Sequence, residues 1–137
     1  MDMDTDSSQQ LRRHRKKLVL AAENVMQGIT TGKNSGKTQL NRLIAVCNEA
    51  ACTEEIANYL RYQAGRKSGD KFWDVDLVTR TIETLAPVLA DLPGDKHVDA
   101  WKLYAVYMTR AFTYEDAKHK SGDSGQKKSA HNARRRP

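Results

Sequence analysis

Apolar residues recur at three- and four-residue spacing along most of this chain, and no stretch alternates with a period of two over strand length. That pattern predicts five amphipathic helices. The first runs from Gln9 to Gln27. Leu11, Leu18, Ala21, Ala22, Val25 and Met26 form its stripe, Arg12, Arg13, Arg15, Lys16 and Lys17 crowd its first half, and Gly28 ends it. The second, from about Thr38 to Ala51, buries Leu40, Leu43, Ile44 and Cys47, with Thr38, Arg42, Ala45 and Glu49 opposite. Thr53 followed by Glu54 and Glu55 is a start signal for the third: an N-cap hydroxyl, then acids over the positive end of the helix dipole. It carries Ile56, Leu60 and Ala64 and stops around Gly65–Arg66. The fourth, Phe72 to about Asp91, is apolar at Phe72, Val75, Leu77, Val78, Ile82, Leu85 and Leu89. Pro87 is expected to kink or split it near Thr84, because the ring removes one backbone bond and crowds the preceding turn. The fifth spans roughly Asp95 to Lys118, striped by Trp101, Tyr104, Ala105, Met108, Ala111 and Phe112.

Small and polar residues separate these segments: Thr30 to Gly36, Lys67 to Asp70 and Leu92 to Asp95. Residues 1–8 are acidic and lack apolar content, and 119–137 combine a Ser/Gly stretch with a Lys/Arg run, so both ends read as disordered. The expected fold is all-α: a small single-domain bundle of about five helices over residues 9–118, with disordered termini. A hydrophobic content of 39% in 137 residues suits one small core.

Composition removes several classes. No apolar run approaches the roughly 20 residues needed to span a bilayer, and no signal peptide is read at the acidic, polar start. Cys47 and Cys52 are too few for a disulfide framework and too close along the chain to pair well with each other. His14, His97, His119 and His131 are too scattered for a zinc spacing. The expectation is a cytoplasmic protein with reduced thiols, no metal and no cofactor.

The net charge of +6 is unevenly spread. Residues 11–71 hold twelve basic and five acidic side chains, residues 72–117 four basic and eight acidic, and residues 118–137 seven basic and one acidic. The last segment alone accounts for a charge equal to the total. The internal split is therefore better evidence than the net value for a polyanion-binding surface, with the front half facing nucleic acid and the acidic back half facing protein or solvent.

Four motifs carry candidate chemistry. Gly32-Lys33-Asn34-Ser35-Gly36-Lys37-Thr38 imitates a nucleotide-binding phosphate loop but has three residues between its glycines instead of four. It follows a basic helix rather than a buried strand, so it reads as a flexible cationic loop. Tyr59-Leu60-Arg61-Tyr62-Gln63-Ala64-Gly65-Arg66 places two tyrosines and two arginines within eight residues, which suits stacking on bases or clamping phosphates. It is also readable as half-buried tyrosines with a C-terminal stop. The aromatic stripe Trp101, Tyr104, Tyr107, Met108, Phe112 and Tyr114 reads as core or subunit interface, and Arg134–Arg136 as a solvated tail. No carboxylate pair, Ser/His/Asp set or Cys/His pair stands out, so no enzyme is expected.

Three blocks in order resemble a known family. They are Thr30-Thr31 followed by Thr38-Gln39-Leu40-Asn41-Arg42-Leu43-Ile44, then Tyr62-Gln63-Ala64-Gly65-Arg66, then Tyr107-Met108 with Ala111 and Tyr114. Together they resemble the small subunit of type III-A CRISPR effector (Csm) complexes, over roughly residues 30–114. The resemblance implies a non-catalytic helical protein of antiviral defence, present in several copies. These copies stack as an inner filament beside the backbone repeat subunits and the large polymerase-cyclase subunit, along the duplex of guide RNA and target RNA. It puts RNA-backbone contacts on Gln39, Asn41, Arg42, Tyr62 and Arg66, with Lys37 and Arg42 substituting for cations that relatives carry at 39 and 41. Arg61 joins the set from the charge pattern. The chain departs from the family in the inserted stretch Gly32–Gly36 and in Glu115–Asp116, where a basic pair is usual. The small subunit of type III-B (Cmr) complexes has the same role and a similar appearance.

A helical DNA-binding regulator is the rival, with the third helix reading bases through Tyr62 and Arg66. The long helices and the expected absence of a tight three-residue turn before that helix weigh against it. An enzyme built on the Gly32–Thr38 loop is the weaker alternative.

Overall fold

The last helix forms the axis of the molecule. The structure, a computed structural model, describes residues 3–29, 36–67 and 72–135. Its elements are α1 (Met3–Arg13), α2 (Arg15–Met26), α3 (Gly36–Glu49), α4 (Thr53–Gly65), α5 (Val75–Ala90), a 3-10 turn (Gly94–Lys96) and α6 (His97–Arg135). No strand occurs among the described residues, and the class is all-α, as expected. α2 and α3 pack along α6, while α5 lies against α2 and α4. Ala100, Trp101, Tyr104, Ala105, Met108 and Phe112 of α6 share one core with Leu18, Ala22, Val25 and Met26 of α2 and with Leu40, Leu43 and Cys47 of α3. Burying each of the larger side chains is worth about 1.5–3 kcal/mol, so this stripe-on-stripe packing supplies most of the cohesion.

Most of the aromatic stripe is therefore core. Trp101 and Tyr104 meet edge to face at 5.5 Å, and Phe112 meets Phe72 the same way at 5.6 Å. The Tyr104 hydroxyl donates to the Thr81 carbonyl at 2.8 Å, which satisfies a polar tip in the interior and ties α6 to α5. Tyr114 differs: it is exposed.

Several element boundaries differ from the periodicity. The first expected helix divides at His14, whose ring Nδ1 lies 2.7 Å from the Gln10 carbonyl, while its backbone N–H is shared between the carbonyls of Gln10 and Leu11. Competition for one acceptor loosens that turn. α5 starts three residues after Phe72, because the Asp74 carboxylate accepts the Leu77 N–H at 2.7 Å and caps the helix there. Phe72 and Trp73 enter the core from the preceding segment. Pro87 does not split α5, which continues to Ala90. The ring falls in the last turn, so one lost bond is tolerated while Leu85 and Val88 stay buried. At α4 the cap position is Cys52, not Thr53, and it makes no side-chain cap bond. Glu55 serves instead, accepting the Ala51 N–H at 2.9 Å.

Helical backbone begins at Met3 and runs on to Arg135, beyond the range that the apolar stripes require. The last buried apolar residue of α6 among those described is Phe112.

Candidate nucleic-acid interface

α3 turns about 100° per residue, which sorts the first motif into two faces. Lys37, Thr38, Asn41, Arg42 and Ala45 are exposed, and Leu40, Leu43 and Cys47 are buried. Gln39 goes inward. It is only 4% exposed, and its Oε1 has no hydrogen-bond partner among the described residues. This corrects the expectation that Gln39 meets RNA: it sits beside Leu40 and Leu43 on the core side of the helix, where a backbone phosphate has no access.

The second motif is divided by the same geometry. Tyr59, Tyr62, Gln63 and Arg66 lie within about 100° of one another around α4, whereas Arg61 lies on the opposite side. Tyr59 is half-buried. Burial raises its phenol pKa, and the charges of Arg42 and Arg66 pull it back. The charges of Arg42 of α3 and Arg66 at the end of α4 thus both act on this ring. Arg66 is further held by the Gln63 Oε1, which accepts from its Nη1 at 2.9 Å. Gln63 was not singled out as a site residue from the sequence, although its three-residue spacing from Arg66 on a helix was a usable signal. Tyr62 and Arg66 therefore share one face of α4, and Lys37, Asn41 and Arg42 are exposed along α3.

Arg61 does not join them. It lines a groove of about 310 Å³ between α4 and α5, with Ala64, Val75, Val78, Ile82 and Glu83. The five cations between Arg12 and Lys17 are separate as well. Lys17 pairs with Asp91 at 3.5 Å, and α1 lies against the 3-10 turn that also borders the start of α4. α4 spans 13 residues, so about 20 Å separates that end from Arg66. Among the described residues the cations of the front half are thus spread over separate regions and do not form one surface. Thr30, Thr31 and the loop residues Gly32 to Ser35, including Lys33, lie outside the described residues.

The third motif is mixed. Met108 is buried and Tyr107 half-buried, with the Arg110 guanidinium 6.0 Å from its ring. Glu115 accepts from the Gly28 N–H, and Asp116 pairs with Lys120 at 2.9 Å. The acids that stand where the family has a basic pair are thus engaged within this chain.

No helix among the described residues is long and apolar enough to cross a membrane. Among the same residues no group of three His, Cys, Asp or Glu side chains is placed to hold a metal ion. Compared with known proteins, the chain matches no family model, no curated protein and no solved structure.

Proposed function

We propose that this chain is a non-catalytic structural subunit of a type III-A CRISPR ribonucleoprotein. It contacts the target-RNA backbone through Lys37, Asn41, Arg42 and Arg66, and further copies extend it along the guide–target duplex beside the backbone and polymerase-cyclase subunits. The observation that carries the reading is the exposure of Lys37, Asn41 and Arg42 together along α3, with the charges of Arg42 and Arg66 both acting on Tyr59. Asn41, Arg42 and Arg66 come from two blocks that each resemble the family, and their chemistry is that of phosphate contact without sequence reading. The type III-B small subunit is the same reading in a different complex.

The experiment is co-purification of the chain with guide RNA and its neighbouring subunits, followed by Arg42→Ala with Arg66→Ala. The double variant should assemble, retain target RNA less well across all sequences, and flatten the salt dependence by roughly 0.7–0.9 in slope per lost phosphate contact. Unchanged retention would move the interface elsewhere. Absence of guide RNA from the purified assembly would sink the subunit reading.

One observation favours the DNA-binding regulator. α3 and α4 are joined by three residues, Ala50 to Cys52, so the tight turn expected to be missing is present. Recognition helices of that kind meet bases with their N-terminal residues. Here that end carries Glu54 and Glu55, which repel phosphate, and the cations lie at the far end of α4. Protection of one defined duplex site by the purified chain would restore the regulator.

A further inference from the structure

Tyr62 is 65% exposed on α4, one turn before Arg66 and on the same face. Three other large apolar side chains are exposed among the described residues. Leu20 and Tyr114 line one groove and Val75 another, while Tyr62 lines neither. Arg66 stands four residues further on, and the Gln63 Oε1 accepts from its Nη1 at 2.9 Å, which holds the guanidinium in place. An accessible aromatic face beside a positioned guanidinium offers two contacts at once: a flat surface for a base and a donor fork for the adjoining phosphate. A continuous duplex cannot use the first contact, because its base faces are covered by their neighbours. An unpaired nucleotide can.

We propose that Tyr62, with Arg66, forms a stacking subsite for one unpaired nucleotide of the bound RNA. The proposal rests on the RNA-binding reading above and adds to it a preference for a base that has left the helix. Tyr62 supplies the platform, and Arg66 fixes the phosphate beside the displaced base. The phenol hydroxyl is not required, since stacking uses the ring.

The test is fluorescence anisotropy of the full chain with three labelled RNA probes of equal length: a single strand, a perfect duplex and a duplex with one bulged nucleotide. Tyr62→Ala should weaken the single-strand and bulged complexes about five- to 150-fold and leave the perfect duplex unchanged. Tyr62→Phe should retain wild-type binding to all three, and Arg42→Ala should weaken all three alike. Circular dichroism should show an unaltered melt for each variant, because the side chains removed are exposed. If Tyr62→Ala changes none of the complexes, or weakens the perfect duplex as much as the single strand, the stacking subsite is wrong. A wild-type chain that binds none of the probes overturns this proposal together with the RNA reading, whereas tight binding indifferent to Tyr62 overturns the subsite alone.

Discussion

The Glu115 carboxylate accepts a hydrogen bond at 2.9 Å from the backbone N–H of Gly28, 87 residues earlier in the chain. Gly28 has a φ of +75°, a conformation that a residue with a Cβ adopts only at a cost of about 1–2 kcal/mol. The contact fastens the end of α2 to α6 where the chain departs toward α3, and Lys118 braces the same carboxylate at 3.1 Å.

The hydrogen bond from Gly28, and then Lys118, hold Glu115 below the usual carboxylate range near 4.5. A group with a depressed folded pKa contributes stability that is complete above its unfolded pKa and is lost as pH falls through the folded one. Melting temperature should therefore drop on acidification below about pH 4.5. Glu115→Gln, which keeps an acceptor oxygen but no charge, should narrow the difference between neutral and acid melts. Differential scanning calorimetry across that range checks it, and an identical pH dependence in the variant would deny Glu115 a part.

The two cysteines should separate cleanly by reactivity. Cys47 is buried, and burial pushes its thiol up to about 12 despite the nearby Lys102 charge, whereas Cys52 is exposed. A thiol-specific reagent at neutral pH should modify one cysteine in the native protein and both in urea. Peptide mapping should place the fast site at Cys52. Equal rates would mean that α3 opens away from α6.

Core and hydrogen-bond contributions should differ in size. Leu43→Ala removes a fully buried side chain from the α3–α6 seam and should cost about 2–5 kcal/mol. Tyr104→Phe keeps the ring and deletes only the bond to the Thr81 carbonyl, so about 1 kcal/mol is expected. Urea unfolding of both variants measures the ratio. A larger effect for Tyr104→Phe would show that the buried bond, and not the packing, governs this core.

If copies of the chain stack, two exposed apolar features are the places to look: Val75 in the α4–α5 groove, and Leu20 with Tyr114 in the α2–α6 groove. Contact between unlike surfaces propagates, so blocking either one should stop growth. Val75→Lys and Tyr114→Lys should each be monomeric by light scattering, while their equimolar mixture should form a dimer and nothing larger. Oligomers that survive both substitutions would place the contact elsewhere.

The helical class and the buried faces were legible because each needs only local information. Leu40, Leu43 and Cys47 repeat at helical spacing, and that spacing alone puts them on one side. Gln39 was misplaced because the resemblance assigned it by its position in a motif, which does not report the face of the helix it occupies. One residue's rotation around the helix, about 100°, separates it from Thr38, and the position of α6 decides which of the two is covered. The break between α1 and α2 at His14 and the start of α5 at Asp74 depended on single side-chain hydrogen bonds that periodicity does not report.

Sequence by itself determined the all-α class, the apolar stripes and the excess of cations between residues 11 and 71, since these follow from residue type and spacing. Only the tertiary structure decided which cations share a surface. Charge along a chain is additive, but a surface is made by packing. The docking of α3 and α4 lets the charges of Arg42 and Arg66 both act on Tyr59 across 24 residues of sequence, while Arg61, five residues before Arg66, is turned by the helix toward α5.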